Sequence, residues 1–169
     1  MRLGSIGMLS SLALTAVCGG SSPTTIVTPP PSSGLTSCAA AQAATFGWWA
    51  GTWAYSVPGF DPGTTTVTAS NGGCTIQEAF VDIHNMQAHT TIQFDSAGKQ
   101  WKRTVTDPFR TYQSAGTFAS DGSIAFYETT TERESYRPTD PTHVHFIGES
   151  STDGGKTWKV QFDATYTKK

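Results

Sequence analysis

At 169 residues, with 37% hydrophobic and 14% charged side chains, the chain has the make-up of one globular domain of modest surface charge. Its 11 Lys and Arg are scattered among 13 Asp and Glu, for a net charge of -2, which excludes a basic footprint for nucleic acid and electrostatic docking on an acidic membrane. The expected partners are a small-molecule ligand, and a membrane reached only through an N-terminal lipid.

Residues 1–17 read as a signal segment: Arg2 supplies one positive charge ahead of LGSIGMLSSLALTAV, a run too short to cross a bilayer. The LTAVC that follows is similar to a bacterial lipoprotein signal, in which a small-residue box precedes a cysteine that is cleaved and lipidated. That cysteine is Cys18. Leu14 stands one place further out than this pattern prefers and Val17 replaces its usual Gly or Ala, so a plain secretory cut near Ala16 is the alternative. The lipoprotein resemblance, with Gly19 after the cysteine, implies a cell-envelope, lipid-anchored location, against a secreted or periplasmic one.

Residues 18–39, rich in Gly, Ser, Thr and Pro, form a polar tether with no core of its own. With Cys18 lipidated, Cys38 and Cys74 are an even pair in an oxidising compartment, where a disulfide would pin the tether to the domain. The alternative leaves Cys74 as a small buried hydrophobe and Cys38 unpaired. No Cys or His spacing suggests structural zinc, and no cofactor is expected.

The domain spans residues 40–169. It opens with the alanine-rich AAAQAATFGWWAGTW, which predicts one or two helical turns, and then turns to strand. Runs of Thr, Val, Ile, Phe and Tyr alternate with polar residues and are broken by PGFDPG, SNGG, DSAGK, TDP, SDG, RPTDP and TDGGK. This predicts strands at 53–57, 64–70, 74–82, 87–95, 100–106, 110–119, 123–130, 132–137, 143–150 and 157–166. With no helices between them the strands must be antiparallel, and a sheet that long closes on itself to remove its edges. The fold class is all-β: an up-and-down antiparallel meander barrel of about eight to ten strands with a short N-terminal helical segment.

The stretch SSTDGGKTWKV has the spacing of an Asp-box, the hairpin motif repeated around sialidase-like propellers, but occurs once. Asp153 can accept backbone N–H groups and Gly154 and Gly155 allow positive φ, so it reads as a turn.

Five pieces in order, FGWWAGTW, GGCTIQEAF, FDSAGKQWKRTVTD, ESSTDGGKTW and FDATY, resemble a bacterial family of lipocalin-like, or calycin-like, barrel domains of unknown function. The resemblance covers most of the chain after Thr45 and implies a barrel and export, without a reaction. That family carries Trp where Val105 stands and bulk where Gly148 stands, which implies a roomier or differently shaped interior here. Haem-binding barrels of the nitrobindin type also open with a stretch similar to Gly51–Trp53, and their proximal histidine would have to be His143 or His145.

Strand parity groups the candidate site residues. In CTIQEAF, Cys74, Ile76, Glu78 and Phe80 share a face, so Glu78 sits among apolar neighbours and is either paired or raised in pKa. Its natural partners are Arg103 and Arg133. With aromatic walls from Trp53, Phe80, Trp101, Phe118, Tyr127 and Phe162, these residues predict a ligand site; a structural Glu–Arg pair is the alternative.

In THVHFIGES, His143, His145 and Glu149 share a face and are similar to the first metal motif of cupins, but no second histidine motif follows. Val144 and Phe146 on the opposite face place the histidines outside. Glu132 and Glu134 alternate with like charge and are expected to face water. No nucleophile elbow or phosphate loop is present, and no catalytic residue is assigned. The preferred function is a lipid-anchored barrel binding a small, partly apolar ligand. The alternatives are a hydrolase or isomerase using His143, His145 and Glu149 or a lumen acid, and a filled structural envelope protein.

Overall fold

The computed structural model describes Cys38 and residues 45–169, all within one compact unit, Ser33–Lys169. The signal segment, Cys18, and nearly all of the tether and the alanine-rich helical segment lie outside the described residues.

Ten strands follow one another: β1 (Gly51–Ser56), β2 (Gly63–Ser70), β3 (Thr75–Asp82), β4 (Gln87–Asp95), β5 (Gln100–Thr106), β6 (Thr111–Phe118), β7 (Ile124–Tyr127), β8 (Glu132–Asp140), β9 (His143–Ser150) and β10 (Lys159–Lys168). Each pairs antiparallel with its sequence neighbour, and β1 also pairs with β10, which closes the barrel. Closure leaves no strand edge in want of hydrogen bonds. β8 runs three residues beyond its predicted end, carrying Pro138 at a register shift before Asp140 that spares the ladder a missing N–H.

Aspartates set most of the hairpins. Asp82 Oδ1 accepts the N–H groups of His84 and Met86 at 2.9 and 2.8 Å. Asp95 serves Ala97 and Gly98 in the same way, and Asp107 serves Phe109 and Arg110. In the 151–158 loop Asp153 accepts the N–H groups of Lys156 and Thr157 at 3.0 and 2.9 Å. The Thr157 hydroxyl and these N–H groups hold its carboxyl down at about 2. Gly154 and Gly155 take φ of 72° and 86°, a region a side chain disfavours. The Asp-box-like stretch is a turn.

Because the connections alternate between ends, the β2–β3, β4–β5, β6–β7 and β8–β9 turns gather at one end and the other five at the opposite end. The first end is plugged. Phe46–Trp49 forms a turn closed by the Trp49 N–H on the Phe46 carbonyl at 3.0 Å, and its rings fill the barrel. Phe46 lies edge-on to Trp101 and Phe118, with centroids 4.8 Å away in each case, and Trp49 stacks at 4.9 Å on Trp53. The Trp53 indole N–H donates to the Trp49 carbonyl at 2.9 Å. At the same end a disulfide joins Cys38 to Cys74, with Cα atoms 5.8 Å apart.

Gly148 does not enlarge the interior. A Cβ there would stand 2.1 Å from Phe162 Cε1, so the Phe162 ring from the neighbouring strand occupies the space that bulk at 148 would take.

Candidate functional site

Above the aromatic plug the barrel is not filled. A cavity of about 210 Å³ opens toward the β1–β2, β3–β4 and β5–β6 loops, and Glu78, Phe80, Arg103, Val105, Tyr112 and Glu134 are among its walls. Trp49 lies beneath it, edge-on to Tyr166 at 4.8 Å and to Tyr136 at 5.3 Å.

Glu78 comes from β3, where Ile76, Glu78 and Phe80 alternate inward. It is buried, and hydroxyls surround it: Thr65 donates to Oε1 at 3.0 Å, Tyr166 to Oε1 at 3.2 Å and Tyr136 to Oε2 at 3.4 Å. Burial raises its pKa, and the bonds from Thr65 and Tyr166 and the charge of Arg103 pull it back only in part. A buried carboxyl held by hydroxyls keeps its proton longer than an exposed one.

Arg103 does not pair with Glu78. Its Nη2 donates to Glu134 Oε2, its Nε donates to Ser114 at 3.1 Å, and the guanidinium lies 4.9 Å from the Phe126 ring centre. The ion pair is lopsided, with the Arg103 side chain 1% exposed and that of Glu134 20%. Burial opposes the Arg103 charge, but Glu134, Tyr136 and Tyr112 together outweigh it, so its pKa rises. Tyr112 also donates to Glu134 at 3.3 Å, and burial, then Glu134, raises its pKa. Tyr55 is pushed up to about 12, by burial first and then by Glu134 and Glu78. Tyr136 and Tyr166 are raised well above the usual phenol range, by burial and then Glu78. These phenols are therefore hydrogen-bond donors across the physiological range.

The structure brings Glu78, Phe80 and Arg103 together and separates them from the other predicted ligand residues. Trp53 and Trp101 belong to the packed half: both are buried, Trp53 against Trp49 and Trp101 against Phe46 and Phe94. Arg133 sits on the outer face. It donates to Glu149 from Nε at 2.8 Å and from Nη2 at 3.1 Å, and its guanidinium lies 4.2 Å from the Trp158 ring centre. Tyr127, expected as a wall, joins it there, 5.8 Å from Trp158. Glu134, expected to face water, points inward instead, because Glu134 and Tyr136 share the lumen face of β8 and Arg103 neutralises the charge.

His143, His145 and Glu149 do not converge. His143 meets Asp140 at 3.0 Å and His145 meets Asp163 at 2.7 Å, with side chains 42% and 38% exposed, while Glu149 is taken up by Arg133 and Arg137. Among the described residues no group of three metal-ligating side chains forms. No histidine lines the lumen cavity, so a haem there would lack the axial ligand that His143 or His145 was expected to provide.

A larger depression of about 300 Å³ lies on the outer face between β6 and β8, floored by Ala125 and Ser135 and flanked by Arg133 and Arg137. Its cations are already engaged by Glu149 and Trp158. The lumen cavity is the better site, since it alone combines a buried carboxyl, phenol donors and aromatic walls.

Sequence reasoning missed Glu134 and the four tyrosines 55, 112, 136 and 166. Alternation carried the signal: Tyr55 shares a face with Trp53, and Tyr136 shares one with Glu134. Compared with known proteins, the chain matches no family model and no curated protein.

Proposed function

We propose that this chain is a binding protein: an exported barrel, lipid-anchored through Cys18, whose half-open lumen holds a small, partly apolar molecule. The observation that carries this reading is the division of the interior into a packed floor and a chamber of about 210 Å³ bearing Glu78 and the Arg103–Glu134 pair. A barrel meant only to be filled gains nothing by burying a carboxyl that lacks a cationic partner, because the desolvation cost lowers its stability. A site that must orient a ligand needs such groups.

The size sets the guest. At ~30 Å³ per water the chamber holds about seven waters, and a dry cavity of ~150 Å³ already accepts benzene, so a molecule of one ring with a short polar arm fits. Ten strands are consistent with this, as they enclose more space than eight. The Cys38–Cys74 disulfide supports an oxidising compartment.

The test is native mass spectrometry of the full chain extracted from its own envelope, with elemental analysis of the same sample. The expected result is an organic adduct without metal, on a chain whose N-terminus is a lipidated Cys18. A bare barrel in both assays favours the filled structural protein, and stoichiometric metal overturns the reading.

A further inference from the structure

Resting on that binding reading, we propose that the lumen selects small organic cations, protonated amines with an aromatic or compact aliphatic body, over neutral and anionic molecules of the same shape. The chamber walls carry Glu78, Asp107 and Glu134 against Arg103. Arg103 is committed, through its bonds to Glu134 and Ser114 and its packing on Phe126. The two other carboxyl groups face the guest without a cation of their own among the described residues. Glu78 has hydroxyl partners from Thr65, Tyr136 and Tyr166. Asp107 accepts the backbone N–H groups of Phe109 and Arg110 at 2.7 and 2.8 Å, which orient its carboxylate without supplying a full charge. The Arg110 guanidinium reaches Glu128 at 2.9 Å and lies 4.1 Å from the Tyr112 ring centre.

The walls suit the rest of such a guest. Phe80 and Tyr166 both pack on Tyr55, with ring centroids 5.2 and 5.0 Å from it, and such π faces attract a cation where water is scarce. The mouth repeats the pattern. Among the described residues its loops carry Asp61, Asp107, Glu128 and Asp153 against Arg110, Lys156 and the His84 that meets Asp61 at 3.0 Å, whereas the plugged end has Lys99 and Lys169 against Asp121. That asymmetry draws cations toward the open end. Phe109, Ile83 and Phe60, which are 75%, 63% and 59% exposed, stand on the loops there and give the apolar body of an entering ligand something to touch. An anion would meet Glu78 and Asp107 with no free guanidinium to receive it.

The guest also acts on Glu78. An ammonium beside it favours the charged form that burial opposes, so in the pH range where Glu78 still carries its proton, binding draws that proton off. The phenols around Glu78 and Arg103 do not share the titration. Tyr55, Tyr136 and Tyr166 have raised pKa values, and Arg103 remains charged.

The experiment is isothermal titration of the full chain with benzylammonium, benzyl alcohol and benzoate at low salt, from mildly acid to neutral pH, in two buffers of different ionisation enthalpy. The expected result is benzylammonium bound about tenfold or more tightly than either analogue, with proton release that appears for the amine alone. Glu78→Gln should abolish the proton release and narrow the preference over benzyl alcohol by weakening benzylammonium. Equal affinities for the three overturn the cation preference while leaving the binding reading intact. Tightest binding of benzoate overturns it as well. Binding of none of them overturns it too, and the native mass then judges the binding reading by itself.

Discussion

Replacing Glu78 by Gln is the most informative single change. The substitution keeps size and keeps a carbonyl oxygen for the Thr65 and Tyr166 hydroxyls, but removes the carboxyl whose pKa burial raises. The folded-state pKa of Glu78 is raised, so between its unfolded value of 4.5 and its folded value the native state binds more protons than the unfolded chain. Stability contributed by this group is therefore complete below the unfolded value and is lost as pH rises through that window. For one proton the slope reaches about 1.4 kcal/mol per pH unit at its steepest, then flattens once the folded state has ionised too. Other titrations cancel in the difference between the two proteins. The assay is urea unfolding of wild type and Glu78→Gln at closely spaced pH from acid to mildly alkaline. Wild type should lose ground to the variant as pH rises and then level off at a constant deficit. A difference that does not depend on pH, or one that grows in favour of wild type, refutes the picture of a proton-retaining acid in a hydroxyl cage.

Three further outcomes are expected. Gly148→Ala forces the Phe162 ring aside and should cost about 1–3 kcal/mol in urea unfolding; in a Gly148→Ala/Phe162→Ala cycle most of that cost should vanish. Replacing Cys38 and Cys74 by Ser opens a loop of sequence separation 36, and the chain-entropy estimate is a loss of about 3–4 kcal/mol, read as a lower urea midpoint. Arg133→Ala leaves Glu149 with Arg137 at 3.4 Å as its remaining cation and should cost about 1–3 kcal/mol, while benzylammonium affinity stays unchanged because Arg133 is on the outside.

The barrel was legible because its two signals are local. Alternation marks which side chains share a face, and an Asp or Gly at most breaks marks where the strand reverses. Pairing in sequence order then follows without long-range information. The same alternation groups Glu78 with Ile76 and Phe80 on one face, and that face, with Arg103, lines the lumen. It could not say how high along the barrel each residue would sit. Trp53 and Trp101 face inward like Phe80, yet they lie at the level reached by the Phe46–Trp49 turn, which fills that half. Arg133 and Glu134 show a different limit. Neighbours on one strand face opposite ways, and a like-charged pair such as Glu132 and Glu134 reads as solvated until a guanidinium from β5 is seen across the lumen. Partner choice is a three-dimensional fact: of Glu78, Asp107 and Glu134 on the chamber walls, Arg103 took Glu134.

The central claim is that the lumen, not the outer face, receives a ligand. The direct measurement is a tyrosine-ring and amide NMR titration of the full chain with benzylammonium, mapped onto the barrel. The account predicts perturbations at Tyr55, Phe80, Tyr112 and Tyr166, with none at Ala125, Ser135 or Arg137. Shifts confined to those three outer positions, or no shift anywhere, would contradict it.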